Sequence, residues 1–424
     1  MARTHHADPV ADARVRFGPA GIEVGEIDTL PNQRSHSVLD VIPSFPDSAP
    51  PWIAPRAAYV HIPFCAHHCG YCDFAVAAGQ DHRIEPYLDA LATELAALRT
   101  PREIRTLFLG GGTPSHLDVR QLSQLMAELR RWFPGPLDEI SLEANPDSFN
   151  EEKASLLASF GVNRVSLGVQ SFDPRMLRRL ERRHEPAHVE PAVAAARHAG
   201  MQVSLDLIFG VPGQSMTQWA SDLKSALAIS PDHVSTYGLT YEKGTQLWKQ
   251  RQRGEFSPAP EELELQMYQH AMETLEAAGF KQYEISNFAR HGFESRHNQV
   301  YWANEAFYGF GVGAAAYVGG TRTLNVRNLE VYLQRVLGGE SPVFQSETLE
   351  PEPRARETLA MNLRRAEGIV FDRFCEQTGF DATALVGTRL NRYTAHGLLE
   401  LDDRSARLTR SGRCVADAIV AEML

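Results

Sequence analysis

Cysteine is scarce in this chain: only 5 occur among 424 residues. A set that sparse does not build a disulfide framework. Long apolar runs are missing too, and none reaches the ~18 residues a membrane-spanning helix needs. Basic charge is short: 42 Lys and Arg stand against 53 Asp and Glu, a net charge of −11. That balance argues against nucleic acid as the main partner. The first 56 residues carry no apolar h-region and so no secretion signature. Unpaired thiols of this kind fit a reduced, cytoplasmic setting. With 43% hydrophobic residues the chain can bury a sizeable core. Its length suits two or three domains, or one large barrel with an appendage.

Three of the five cysteines fall together, in His61-Ile-Pro-Phe-Cys65-Ala-His-His-Cys69-Gly-Tyr-Cys72-Asp-Phe74. A zinc site usually wants four N or S ligands in two pairs, and no second pair lies nearby. Three thiolates from one short loop can instead hold three irons of a [4Fe–4S] cluster. The fourth iron is then open, and an open metal position is where ligand chemistry occurs. Cys375 and Cys414 stand far downstream and read as small packing residues. Either could serve as a fourth ligand, which would close that iron.

From Arg56 onward short β-branched runs alternate with amphipathic helices. Strands are expected at 58–62, 106–109, 139–143, 164–169, 202–209 and 233–239. Helices are expected near 119–132, 151–160, 187–199 and 216–228, with Gly161 and Gly200 ending two of them. An earlier helix presents Ile84, Tyr87, Leu88, Leu91, Leu95 and Leu98 on one face. Such alternation predicts an α/β fold with a parallel sheet, an incomplete (β/α)6 barrel whose site lies at the C-terminal strand ends.

The unusual residues fall at those ends. The second strand is followed by Gly110-Gly-Gly-Thr-Pro-Ser115, a glycine run that offers free backbone N–H groups. The third is followed by Glu143-Ala-Asn-Pro146, whose carboxylate can meet a ribose hydroxyl or an ammonium. The fourth leads into Gly168-Val-Gln-Ser-Phe172 and then a basic helix with Arg182-Arg-His184, a run that is ordinarily a solvated face. Asp206 interrupts the apolar fifth strand and so needs a partner.

Together these motifs resemble the radical S-adenosylmethionine (SAM) superfamily, and within it the family of oxygen-independent coproporphyrinogen III oxidase and the HemW-type haem chaperones. The likeness runs from about Ala57 to the C-terminus. It implies that Cys65, Cys69 and Cys72 ligate the cluster. It implies SAM contacts at Tyr59, Tyr71, Gly111, Gly112, Thr113 and Glu143, with Gln170, Arg182 and Asp206 at positions that hold a second SAM in the oxidase. Two departures separate oxidase from chaperone. The oxidase motif continues to a fourth cysteine where this chain has Phe74, and no Arg-Tyr-Thr-Ser-Tyr-Pro-type arm precedes Arg56. The chain instead carries His297-Asn-Gln-Val-Tyr-Trp302, the HNxxYW pattern of HemW-type chaperones.

His297 is thereby the haem candidate, since imidazole ligates haem iron and aromatics stack on a porphyrin. The bland alternative is a structural turn with Tyr301 and Trp302 in the core. The partners implied are haem, haem-accepting proteins such as respiratory cytochromes, an electron donor for the cluster and a second copy of the chain. The alternative function is oxidative decarboxylation of coproporphyrinogen III. Four regions are expected: a disordered leader over 1–55, the barrel core over 56–290, a barrel-covering segment over 291–350, and a helical, winged-helix-like module over 351–424. Within them a helix near 261–278, a strand over 282–288 and a close-packed run over 309–316 are expected. The module has no basic stripe, so it reads as a structural or partner surface.

Overall fold

The computed structural model describes residues 41–424 and, before them, the backbone of the paired strands Phe17–Gly18 and Gly21–Ile22. The leader expected over 1–55 otherwise lies outside the described residues as far as residue 40. Residues 42–53 are mostly exposed or half-buried, but backbone hydrogen bonds tie them down at three points. Ile42 N–H donates to the Ala97 carbonyl, Ala306 N–H to Pro51, and Gly319 N–H to Ile53.

Six strands run parallel in chain order: β1 (Ala57–Ile62), β2 (Thr106–Gly111), β3 (Glu139–Ala144), β4 (Arg164–Gln170), β5 (Gln202–Phe209) and β6 (His233–Gly238). Each is a short, largely buried run, as parallel strands covered on both faces are. Helices α1 (Ile84–Leu95), α2 (Val119–Trp132), α3 (Glu151–Ser159), α4 (Pro174–Arg179), α5 (Val189–His198) and α6 (Met216–Ala228) lie along the connections. Local chemistry sets their ends. Asp118 with Gln121 and Ser215 with Gln218 form capping boxes, which satisfy first-turn N–H groups. The expected face of α1 is buried throughout, Leu98 included. Each such leucine contributes about 1.5–3 kcal/mol.

The sheet stays open among the described residues. A short hairpin, Lys281–Gln282 and Asn287–Ala289, continues it antiparallel beside β6. The strand expected over 282–288 is thus broken, because Tyr283 N–H turns back to the Asn287 carbonyl. At the other edge Tyr308–Phe310 pairs parallel with β1. Gly309 allows this: a Cβ there would lie 1.8 Å from the Ala315 carbonyl oxygen. Buried Glu94 on α1 pins the same region, accepting from Gly311 N–H at 2.7 Å, Asn325 Nδ2 at 2.7 Å and the Tyr332 hydroxyl at 2.6 Å.

Two compact units are distinguished. The larger comprises Arg34–Val300 and Glu305–Thr348; the smaller includes Tyr301–Asn304 and Leu349–Leu424. In the smaller, helices Pro351–Leu363, Phe371–Thr378 and Ala382–Ala395 accompany a three-stranded antiparallel sheet. Trp302 lies under the Arg364 guanidinium there, at 4.9 Å. No helix among the described residues is long and apolar enough to cross a membrane.

Candidate functional site

The cysteine loop leaves the end of β1 and is tied at several points. Phe64–Cys65 pairs with Ala77–Ala78, Gly70 N–H donates to the Leu180 carbonyl, and Leu247 N–H donates to Gly70. His61 holds the return of the loop. Its Nε2 donates to the Ala75 carbonyl at 2.8 Å, so Nδ1 accepts from the Tyr59 hydroxyl at 2.9 Å. Burial lowers this imidazole to about 4, which keeps it neutral. Gly111, at φ +108°, lies against the same ring: a Cβ there would sit 2.4 Å from it. Gly112 is equally constrained, 2.5 Å from the Pro63 carbonyl by the same measure.

Around the loop the strand ends converge. Thr113 Oγ1 lies 3.3 Å from Cys65 Sγ, and Arg182 Nη1 lies 3.6 Å from Cys69 Sγ. Arg182 opens a basic run that is ordinarily a solvated helix face, while the family resemblance puts it at a SAM position. Helix α4 ends at Arg179 instead, and the turn after it sends Arg182 inward, where Nη2 donates to Asn145 Oδ1 and to the Gly168 carbonyl, each at 2.6 Å. His184 is buried as well, with Nε2 on the Val169 carbonyl. Gln170 sits at φ +63°, where the pairing of β4 with β5 shifts register. A non-glycine residue there costs on the order of 1 kcal/mol, strain that tends to be kept at ligand sites. Asp206 accepts from Ser166 Oγ at 3.0 Å on both oxygens, and burial raises its carboxyl above the usual range. Burial likewise raises the hydroxyl of Tyr71, whose ring packs against the apolar cluster that includes Met176, Leu180 and Leu247.

Glu143 accepts from Gly111 N–H at 2.9 Å, and burial pushes it from 4.5 up to about 8. The folded chain therefore holds this proton more tightly than the unfolded chain. The stability it contributes is full below about pH 4.5 and is lost as pH rises toward 8. Thermal midpoints of metal-free Glu143→Gln should fall less between pH 5 and 8.5 than those of the wild type. Parallel profiles would contradict the assignment.

The residues present fit an iron–sulfur cluster with an attached ligand. Among the described residues no three His, Cys, Asp or Glu side chains stand as a single-ion cage. A cluster does not need one, because each thiolate binds a different iron. Cys65, Cys69 and Cys72 share one loop, and the latter two are partly exposed. Burial pushes Cys65 up to about 11 and Cys72 up to about 12 in the metal-free chain, so loading must displace protons. The glycine run does not offer the free N–H groups expected of it, since Gly111, Gly112 and Thr113 donate to Glu143, Ile62 and Phe64; Glu143 and Arg182 supply charged groups of both signs beside the loop.

His297 stands elsewhere. Helix Arg296–Trp302 starts against Thr106 and Glu139, the first residues of β2 and β3, at the strand ends away from the cysteine loop. Glu139, the first residue of β3, accepts from the backbone N–H groups of Arg296 and His297. The His297 ring is buried, lies 2.9 Å from Thr106 Oγ1 through Nδ1, and stacks on Phe108. Burial lowers it to about 4. From the following segment Arg327 does reach the loop, donating to Asp73, and Gly313 packs on Ala75.

Sequence reasoning gave no role to His61, Asn145, Lys153 or Glu139. Lys153 Nζ ties the second and third strand ends together through the Ser115 and Ser148 carbonyls. His61 and Asn145 carried a signal, as parts of the motifs that hold Cys65 and Glu143.

A glycine-lined strand end beside a three-cysteine loop is the arrangement of radical SAM proteins. The Radical SAM superfamily description matches residues 59–226, and the HemN C-terminal domain matches 349–415. "Heme chaperone HemW" of Bacillus subtilis (strain 168) is 36% identical over 375 residues, 87% of this chain and 99% of that protein. The protein of the same description from Mycobacterium tuberculosis (strain H37Rv) is 36% identical over 387 residues, 89% of this chain and 97% of its own. The solved structure of coproporphyrinogen III oxidase (HemN) from Escherichia coli superimposes with a TM-score of 0.76 at 25% identity, covering 87% of this chain and 89% of that one. The chain belongs to the HemW family of radical SAM proteins.

Proposed function

We propose that this chain is a cytoplasmic haem chaperone that binds haem and passes it to haem proteins such as respiratory cytochromes. Cys65, Cys69 and Cys72 hold a [4Fe–4S] cluster in this reading. SAM rests on Tyr59, Tyr71, Gly111, Gly112, Thr113 and Glu143, with Gln170, Arg182 and Asp206 lining the adjoining space. When bound, cluster and SAM supply one-electron chemistry at the open iron. The observation that carries the reading is the 36% identity across 99% of a HemW chaperone. Phe74 in place of the oxidase's fourth cysteine supports it.

The chain's own residues have definable tasks. Gly111 and Gly112 can lie against His61 and Pro63 because neither residue carries a Cβ, which brings the end of β2 up to the cysteine loop. Glu143 can accept from an ammonium and give up its proton in doing so. Arg182 holds positive charge beside Cys69, where the thiolate of a loaded site would carry negative charge.

The similarity to HemN keeps one rival reading, oxidative decarboxylation of coproporphyrinogen III. Anaerobic haem titration of the cluster-loaded full chain should saturate near one haem per chain. Incubation with coproporphyrinogen III, SAM and reductant should yield no vinyl product. Vinyl formation would replace the chaperone by the oxidase.

Haem ligation by His297 requires the ring to leave its buried place against Phe108, because only 1% of the residue is exposed. His297→Ala should then weaken haem binding at least tenfold, while Thr106→Val, which removes one contact of the ring, should not. Equal haem affinity in both variants, with lowered thermal midpoints, would assign His297 to the packing beneath the strands.

A further inference from the structure

We propose that Asn145 is a positioning residue that sets the direction of a hydrogen-bond relay ending on Cys65. The proposal rests on the reading that Cys65 is a cluster ligand. Its basis is a chain of four side chains. Arg182 Nη2 lies 2.6 Å from Asn145 Oδ1, and Asn145 Nδ2 lies 3.2 Å from Thr113 Oγ1. Thr113 Oγ1 in turn lies 3.3 Å from Cys65 Sγ.

Guanidinium groups only donate, so the Asn145 atom facing Arg182 must be the carbonyl oxygen. The amide nitrogen then faces Thr113 and donates to it. The Thr113 oxygen is engaged as an acceptor, and its own proton is left for the sulfur. Arg182 keeps the amide from turning, and the backbone fixes where the side chain starts. Asn145 N–H donates to Ser115 Oγ at 3.2 Å, and its carbonyl accepts from Ser148 N–H at 3.0 Å and Ser148 Oγ at 3.1 Å. All four polar groups of Asn145 are thus committed.

An aspartate here would keep the size and the contact with Arg182, yet reverse the relay. A carboxylate only accepts, so the Thr113 hydroxyl would turn toward it and Cys65 Sγ would lose its donor. Hydrogen bonds to a ligating sulfur favour the more negative, reduced cluster and tune its potential. Asn145→Asp should therefore make the cluster harder to reduce, as should Thr113→Val, which deletes the donor outright. A charge effect alone would act independently of Thr113.

The test is an anaerobic redox titration, read by absorbance and by electron paramagnetic resonance of the reduced state. It uses reconstituted full-length wild type, Asn145→Asp, Thr113→Val and the double variant, with iron content measured in each. We expect Thr113→Val and Asn145→Asp each to lower the reduced-to-oxidised ratio at fixed potential about tenfold, ~59 mV for a one-electron couple. The double variant should fall no further than the lower single variant, the non-additivity of groups in one relay. Unchanged potentials in the single variants, or full additivity in the double, would overturn the relay. Wild type that takes up no cluster would instead overturn the cluster reading, and the two failures are told apart by the iron measurement.

Discussion

Replacing Cys65 by alanine should abolish the brown absorbance of reconstituted protein and drop its iron from about four per chain to near none. Three thiolates from one loop are the minimum set for a cluster with one open iron, and no spare cysteine lies within the loop. Cys69→Ala and Cys72→Ala should behave alike. Cys375→Ala and Cys414→Ala should keep full iron, because Cys375 is exposed and Cys414 Sγ rests on the Arg410 carbonyl. Iron content separates these outcomes without reference to activity. Full iron in Cys65→Ala, or loss of iron in Cys414→Ala, would move the ligand set.

Gly111→Ala should be the most damaging single methyl group in the molecule's site. The residue sits at φ +108°, where a side chain is strained, and its Cβ would lie 2.4 Å from the His61 ring. His61 cannot retreat without releasing Ala75, and with it the return of the cysteine loop. The N–H that Glu143 accepts belongs to the same peptide. We expect a loss of about 3 kcal/mol or more in urea unfolding of the metal-free chain, together with loss of SAM binding by the loaded chain. Gly79→Ala is the matched control. Gly79 is also left-handed, at φ +68°, but a Cβ there meets nothing within 4 Å, so the expected cost is about 1 kcal/mol. Similar losses at the two positions would show that steric contact with His61 is not the cause.

Much of this architecture was legible because its signals are local. Helix α1 announces itself through Tyr87, Leu88, Leu91 and Leu95, which recur at helical spacing and are buried. The strands read as short apolar runs because both their faces are covered. The cysteine loop and the glycine run were legible for a different reason: few other tasks need those residue types so close together.

What failed to show in the sequence depends on distant partners. Residues 42–56 look like a loose proline-rich leader, yet they are fixed by backbone bonds to Ala97, Ala306 and Gly319. Composition cannot reveal those bonds. Composition alone makes Arg182 one of a solvated basic run, and only the family resemblance drew it into the site; the turn after α4 that points it at Asn145 is not legible locally. His297 carries a family pattern, but nothing in the pattern tells that Thr106 and Glu139, both more than a hundred and fifty residues earlier, await it. Polar contacts between strand ends are set by sheet order, and sheet order is not a property of any short window.

The two edges of the open sheet bear on how the chain meets other chains. An unguarded edge of a parallel sheet invites another chain to add a strand, the first step of aggregation. Beside β1 the edge is taken by three residues, Tyr308–Phe310, and the close crossing at Gly309 lays further backbone against it. Beside β6 the last strand is two residues long and carries the exposed Lys281. Neither end offers a long, flat template. An incoming strand would find only a few backbone groups to pair with at either end of this sheet.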